Sequence, residues 1–347
     1  MSCVRVNSSV AQQREKRANS RIRCLAGLHG DRLIWAKIRS MKDLFKKYML
    51  PDHSARIQAV RLTEAWKTGL AHQSYPECVQ QLLGELLAAS ILLASNIKFD
   101  GSLVLQLQGD GPISLIVVEC NSDLSVRATV SLREGHEVPV DGTLQTLLNT
   151  QGNGRFIVVL DPGRDTEGMQ PYQGVIPLEG ESVAQVLESY MRNSEQLDTR
   201  LWLASDPEHA AGLLLQRLPG HGGTQAPAEH SPDETWTRVC HLAATVKREE
   251  LLELDTDTLI HRLFWEENLI AFQPEDVRWH CPCTRERVAG MLRGLGRQEV
   301  EDILSEREHV DIVCNFCGKP YRFDAIDCAS LFVDNLGTSY DGDDSVH

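Results

Sequence analysis

PECVQQLLGELLAASILLASNIKFDGSLVLQLQGDGPISLIVVE, residues 76–119, contains the change of hydrophobic period that decides the fold. In its first half apolar residues recur at intervals of three and four, which predicts an amphipathic helix with one wide buried face, beginning near Pro76. After Asp100 and Gly101 the apolar residues alternate with others, which predicts a strand. The turn at 109–112 then predicts a hairpin with a second strand at ISLIVVE. This stretch therefore indicates a helix packed on an antiparallel sheet.

The same signals continue toward the C-terminus. Further strands are predicted at 124–130, 155–160, 173–178, 199–204 and 212–219, with a helix at 182–193. We therefore predict an α+β domain over residues 41–220, in which helices pack on a largely antiparallel sheet. The Gly- and Pro-containing stretch 220–227 has almost no apolar content and marks the end of this domain.

Residues 221–275 are predicted to form a helical linker. One helix starts at Ser231-Pro232-Asp233-Glu234, which supplies an N-cap, a proline at the first helical position and an acidic residue. A shorter helix is predicted at 259–264. Residues 221–280 hold twelve Asp and Glu against five Lys and Arg, with few large apolar residues. We expect this segment to be among the least stable parts of the fold.

The charge distribution excludes several classes of protein. Residues 1–40 hold nine Lys and Arg against two Asp and Glu, so the remainder of this −14 chain carries −21 and repels phosphate backbones. The longest charge-free apolar stretch, residues 86–97, is too short to span a membrane, so we predict neither a nucleic-acid nor a membrane partner.

The two ends of the sequence are predicted to lie outside the domains. Residues 1–40 lack the continuous apolar region of a secretory signal, which favours a cytoplasmic location. They could be a transit-like peptide or a basic arm; we favour a disordered extension upstream of a native start at Met41. Residues 336–347 are predicted to be an acidic, solubilising tail.

Four of the ten cysteines form close pairs, Cys281-Pro282-Cys283 and Cys314-Asn315-Phe316-Cys317. In a chain without an export signal, such pairs indicate a metal or redox centre, and Zn²⁺ is the usual occupant of a four-thiolate site. We predict one Zn²⁺ per chain, in a small domain over residues 276–335. Its charge would be compensated by nearby basic residues, which are Arg285, Arg287, Lys319 and Arg322.

This small domain has little apolar material of its own. Two short helices are predicted at 288–292 and 300–304, interrupted by glycines. Structural zinc supplies roughly 10–16 kcal/mol of apparent binding energy, as much as the stability of a whole domain. Oxidation of each close pair would remove the ligands, unfold this domain and loosen the adjoining linker.

Over residues 41–335 the sequence resembles the redox-regulated heat-shock chaperones of 33 kilodaltons. The resemblance is carried by the two cysteine pairs and by LLGELLAASILLASNIKFDGSLVLQLQGDGP (82–112), YQGVIPLEG (172–180) and SEQLDTRLWLA (194–204) followed by GLLLQRLP. It implies an ATP-independent holdase, not an enzyme, that is inactive when reduced and zinc-bound. It also implies activation by disulfides Cys281–Cys283 and Cys314–Cys317, with unfolded proteins as clients and a homodimer as the oxidised form.

Other readings of the cysteines are a structural zinc site without a redox role and a thiol–disulfide oxidoreductase using Cys314 and Cys317. A third is a zinc ribbon that binds nucleic acid, which the charge of the chain disfavours. His280 could be an alternative ligand, but we predict that it faces solvent or lies behind the ligands. Cys328 could join disulfide exchange, but we predict that it is buried. Three of the other cysteines are predicted to be ordinary semi-buried thiols, namely Cys78, Cys120 and Cys240.

Overall fold

The structure, a computed structural model, describes residues 43–96, 100–163, 170–219 and 232–332. All of them belong to one compact unit that begins at Asp43. The predicted N-terminal extension, the cap at Ser231 and the acidic tail lie outside the described residues.

Two six-stranded sheets form the first part of the chain. The first sheet has the order β10 (Ile270–Ala271), β1, β2, β9, β8, with β11 (Glu275–Asp276) also paired to β1, and the second has the order β12 (Arg278–Trp279), β5, β4, β3, β6, β7. Their strands up to residue 217 are β1 (Leu44–Met49), β2 (Ala55–Leu62), β3 (Ser102–Gln108), β4 (Ile113–Asn121), β5 (Ser125–Leu132), β6 (Arg155–Asp161), β7 (Tyr172–Pro177), β8 (Thr199–Ser205) and β9 (Ala210–Arg217). The α+β class and the antiparallel pairing are confirmed, but the strands form two sheets rather than one.

The helix predicted near Pro76 is α2 (Glu77–Ala94), and it is the centre of the fold. It follows a short helix, α1 (Glu64–Leu70), and contacts strands of both sheets. The prediction of a single buried face is wrong, because the helix is buried on nearly every side between the two sheets. Small residues such as Gly84, Ala88 and Ala89 permit this close approach. By length and composition α2 could cross a membrane, but 72% of it is buried inside the structure.

Three helices of the linker, which we define as residues 232–280, cover the outer face of the first sheet. The core contains two more helices, α3 (Leu144–Leu148) and α4 (Val183–Asn193). The linker helices that follow them are α5 (Pro232–Ala243), α6 (Arg248–Glu253) and α7 (Thr256–Phe264). Leu251, Leu263 and Phe264 pack with Ile57 and Leu213 of the sheet in a second apolar core. The linker therefore forms a layer of the folded protein, and its low stability remains a prediction.

After α7 the linker runs in an extended form along both sheets. Its short strands β10 (Ile270–Ala271) and β11 (Glu275–Asp276) pair antiparallel with β1, and β12 (Arg278–Trp279) pairs parallel with β5. This parallel pair is the exception in sheets whose other described pairs are antiparallel.

Residues 281–332, here called the C-terminal domain, have a separate small core. The two predicted helices are present as α8 (Arg285–Leu295) and α9 (Arg297–Glu306), separated at Gly296, whose φ of 97° suits a glycine. A hairpin of β13 (His309–Val313) and β14 (Pro320–Asp324) and a last helix, α10 (Ala325–Leu331), complete the domain. Its fully buried side chains are few: Ala289, Leu292, Val300, Val310, Tyr321, Phe323 and Cys328.

Candidate metal centre

The two cysteine pairs come together in the C-terminal domain. Cys281 and Cys283 lie between β12 and α8, and Cys314 and Cys317 lie in the turn between β13 and β14. The four sulfur atoms all lie within 4.8 Å of one another. Across the two pairs, the Cys281 sulfur lies 3.7 Å from that of Cys314, and the Cys283 sulfur lies 3.3 Å from that of Cys317. The predicted set of four thiols is therefore assembled at one point.

Local backbone structure positions each pair. In the 314–317 turn, the Cys314 amide donates to the Lys319 carbonyl at 3.0 Å, and the Gly318 amide donates to the Cys314 carbonyl at 2.8 Å. Gly318 has a φ of 69°, a conformation that favours glycine. On the other side Thr284 caps α8 by accepting from the Arg287 amide, so the helix starts directly after Cys283. Both loops are thus held by hydrogen bonds that do not use the sulfurs.

The arrangement fits a tetrahedral zinc site. Zn–S bonds of about 2.3 Å place the four sulfurs of such a site about 3.8 Å apart, close to the separations observed here. All four cysteines are half-buried, so the site is partly shielded from water and still reachable by a small oxidant. His280 is exposed and is not a member of the sulfur cluster.

The other cysteines of the described residues are placed much as the sequence predicted. Cys328 is buried in the core of the C-terminal domain, so the prediction of burial is confirmed. Cys78 and Cys120 are buried as well, more deeply than predicted, and Cys240 on α5 is half-buried.

Two of the basic residues near the cysteines have carboxylate partners, and compensation of the cluster's charge stays a prediction. Arg285 pairs with Asp327 at 2.7 Å and stacks on the Phe323 ring, and Arg322 pairs with Asp311 at 2.8 Å. Each of these two guanidinium groups is therefore paired with a carboxylate of the C-terminal domain.

The surroundings of Cys283 lower the pKa of its thiol. Burial by itself raises this pKa. The Tyr321 hydroxyl and the three neighbouring sulfurs have the larger, opposite effect and lower the pKa to about 7. Burial raises the pKa of Cys281 and Cys317 instead. The buried Tyr321 hydroxyl lacks a well-aligned hydrogen bond, and the Cys283 sulfur beside it raises the pKa of this phenol. Cys283 is thus converted to a thiolate, the form that reacts with oxidants, more readily than Cys281 or Cys317.

The 314–317 turn is docked on the core through one backbone carbonyl. The Asn315 carbonyl accepts from Thr129 Oγ1 of β5 at 2.9 Å and from Gln73 Nε2, after α1, at 3.0 Å. His72 Nε2 lies 3.2 Å from the same oxygen. Next to it, the Arg127 guanidinium lies 4.3 Å from the centre of the Phe316 ring. Residues inside the cysteine motif therefore connect the cluster of four thiols to the core.

Comparison with known proteins agrees with this architecture. The family model described as Hsp33 protein matches residues 43–324, most of the chain and all four clustered cysteines. The chain belongs to the Hsp33 family.

The match to each of two curated relatives extends over nearly the whole length of that relative. A 33 kDa chaperonin of Chromobacterium violaceum is 46% identical over 84% of this chain and 94% of its own length. A 33 kDa chaperonin of Methylobacillus flagellatus is 43% identical over 85% of this chain and 96% of its own. The crystal structure of the Hsp33 homologue of Thermotoga maritima has a TM-score of 0.67 at 22% identity, covering 83% of this chain and 97% of that one. The family resemblance inferred from the sequence is confirmed.

Sequence reasoning missed the Hsp33 residues that surround the cysteines. Tyr321 could have been found, because alternation along β14 turns it to the same side as buried Phe323. Thr129 and Gln73 could not, since they approach the turn from segments more than 180 residues away.

Proposed function

We propose that this Hsp33-family chain is an ATP-independent holdase that is inactive when reduced and becomes active when its four clustered cysteines are oxidised. The observation that carries the proposal is the convergence of four half-buried sulfurs, all within 4.8 Å, on two short loops. In the reduced state we propose one Zn²⁺ per chain, held by Cys281, Cys283, Cys314 and Cys317. When bound, zinc would supply the bonds that tie the two loops together.

Oxidation would change the bonding of the cysteines themselves. We propose disulfides Cys281–Cys283 and Cys314–Cys317, the pairing that the family resemblance implies. Each pair of thiolates would give up two electrons to one molecule of hydrogen peroxide, which takes up two protons from solvent and becomes two molecules of water. A disulfide sulfur is no longer a thiolate ligand, so the two loops lose their shared attachment and the metal is released.

The loss of that attachment would spread to the linker. The C-terminal domain buries few side chains of its own, so it depends on the joined loops for stability. Unfolding of this domain would withdraw Asn315 and Phe316 from the core. The linker would then no longer be held in place by a folded, docked domain directly after β12. The linker helices would then leave the first sheet and expose Ile57 and Leu213.

We propose that the exposed surfaces hold partly unfolded client proteins without turnover, and that the oxidised form is a homodimer. We also propose a cytoplasmic location. Thiols stay reduced in the cytoplasm until an oxidant accumulates, which is the condition that the switch requires.

The test uses the full-length reduced protein. Its zinc content is measured before and after treatment with peroxide, together with aggregation of a thermally unfolding client and the mass of the oligomer. We expect one zinc per chain, release on oxidation, and protection of the client by the oxidised form alone. Cys240→Ser, which removes a half-buried linker thiol outside the cluster, is the matched control and should behave as the parent chain. Release of zinc without any gain in protection would contradict the proposal, and catalytic reduction of insulin would contradict its non-enzymatic part.

A further inference from the structure

Each of the two sheets has one edge covered by the linker. In the described part of the chain, β10 and β11 cover the edge of β1, and β12 covers the edge of β5. The opposite edges are formed by β8 and β7, to which the described residues add no further strand. The linker therefore covers one selected edge of each sheet.

The covering contacts are backbone hydrogen bonds. The amides of Phe272 and Val277 donate at 3.0 Å to carbonyls of residues 47 and 43 at the β1 edge. The amides of Arg278 and His280 donate to carbonyls of residues 124 and 126 at the β5 edge, at 3.4 and 2.9 Å. Since every residue except proline has such an amide, these edges can accept an extended chain of almost any sequence.

Side chains add a preference at the β5 edge. Val277 is buried, Arg278 points outward to pair with Asp123, and Trp279 packs against the core. The Trp279 ring lies over Gly69 of α1, where a Cβ would come within 2.5 Å of it. The β5 edge is therefore flanked by a slot over Gly69 that holds one flat aromatic side chain, and alternation along the added strand turns Val277 to the same side as Trp279.

We propose that the edges of β1 and β5, once the linker has left them, bind extended segments of client proteins by strand addition, with a large apolar side chain in the slot over Gly69. The inference rests on the proposed function, since it requires that the linker leave. An unfolding client supplies what the linker supplied: unpaired backbone amides and alternating apolar side chains. The same edges are closed in the reduced protein, so capture of strands is confined to the oxidised state.

A peptide copy of the linker tests the proposal on the full-length chain. Residues 269–280 (LIAFQPEDVRWH) are synthesised with a fluorophore, and a second copy is N-methylated at Phe272, Val277, Arg278 and His280. N-methylation keeps every side chain and removes the four donating amides. We expect the unmodified peptide to bind the oxidised chain at least tenfold more tightly than the reduced chain, and to displace an unfolded client. The methylated copy should lose at least tenfold in affinity.

Two further peptides test the slot. Trp279→Ala removes the side chain over Gly69, whereas Phe272→Ala removes an aromatic ring that is 46% exposed. We expect the first to lose most of the affinity and the second to lose little.

The outcomes separate this inference from the proposed function. If the oxidised chain protects clients but the methylated peptide binds equally well, strand addition is wrong and the holdase function stands. If the oxidised chain does not protect clients, the function fails and the inference fails with it.

Hydrogen exchange locates the bound segment. Client binding should restore protection to residues 44–49 and 125–132 and leave β7 and β8 unchanged. Protection restored without client would identify a second copy of this chain as the occupant and overturn the proposal, and protection of β7 or β8 instead would do the same.

Discussion

Docking of the 314–317 turn on the core should control how readily the cysteines are oxidised. Thr129→Val removes the hydroxyl that donates to the Asn315 carbonyl at 2.9 Å and keeps the shape of the side chain. Such a hydrogen bond contributes about 1 kcal/mol. Phe316→Leu removes the ring under Arg127, at 4.3 Å, a cation–π contact of about 0.5–1 kcal/mol. Together the two changes weaken docking by about 2 kcal/mol, or about 30-fold in the docking equilibrium, since 1.4 kcal/mol is a factor of ten.

The assay is the rate of thiol loss at a fixed peroxide concentration, with zinc release followed in parallel. We expect each single variant to react about fivefold faster than the parent chain, and the double variant about 30-fold faster. Thr129→Ser retains the hydroxyl and should react at the parental rate. Phe332→Leu removes a ring beside Arg297, in the C-terminal domain, and should change the rate little. Parental rates in a folded double variant would refute the reasoning, and an equal acceleration by Phe332→Leu would show a general loss of stability instead.

Three further predictions concern the metal, the linker and the core. Cys317→Ser removes one of four ligands and should abolish tight zinc binding and the helical signal of the C-terminal domain; metal analysis and circular dichroism check this, and retained zinc would contradict it. Leu263→Ala leaves a cavity in the buried contact between α7 and the first sheet and should weaken this packing by about 2–5 kcal/mol. Hydrogen exchange of the α7 amides in the reduced protein should rise as a result. Burial on α2 raises the pKa of Glu85 from 4.5 to about 7, so the folded state binds more protons between these values and stability falls as pH rises through them. Glu85→Gln should remove a fall of up to about 3 kcal/mol between pH 4.5 and 7, measured by urea unfolding; an unchanged pH dependence would contradict it.

The cluster of four thiols could be predicted from the sequence because the two cysteines of each loop are close in the chain. Two residues separate Cys314 from Cys317, one separates Cys281 from Cys283, and such spacings place two thiols on one short turn wherever the chain leads. The docking of that turn could not be predicted, because Thr129 carries no signal that it faces a distant carbonyl. Here the fold decides which residues meet.

The same contrast holds for the core. Helix α2 was predicted from its period, but a helix that is apolar on one face and small on the others gives no sign that a second sheet covers it. Strand β2, ARIQAVRL, was missed because polar residues interrupt its apolar pattern. Gln58 in this strand is nonetheless fully buried, where its amide donates to Ser95 and Asn96 beyond the end of α2 at 3.0 Å.

The run from Ile270 to Trp279 contacts β1 first and β5 a few residues later. When the pairing with one of these strands breaks, the pairing with the other still holds the freed segment nearby. The segment therefore rebinds readily. Release therefore requires both attachments to fail together. Rising oxidant should accordingly produce a sharp threshold, with molecules either fully closed or fully open and few in between.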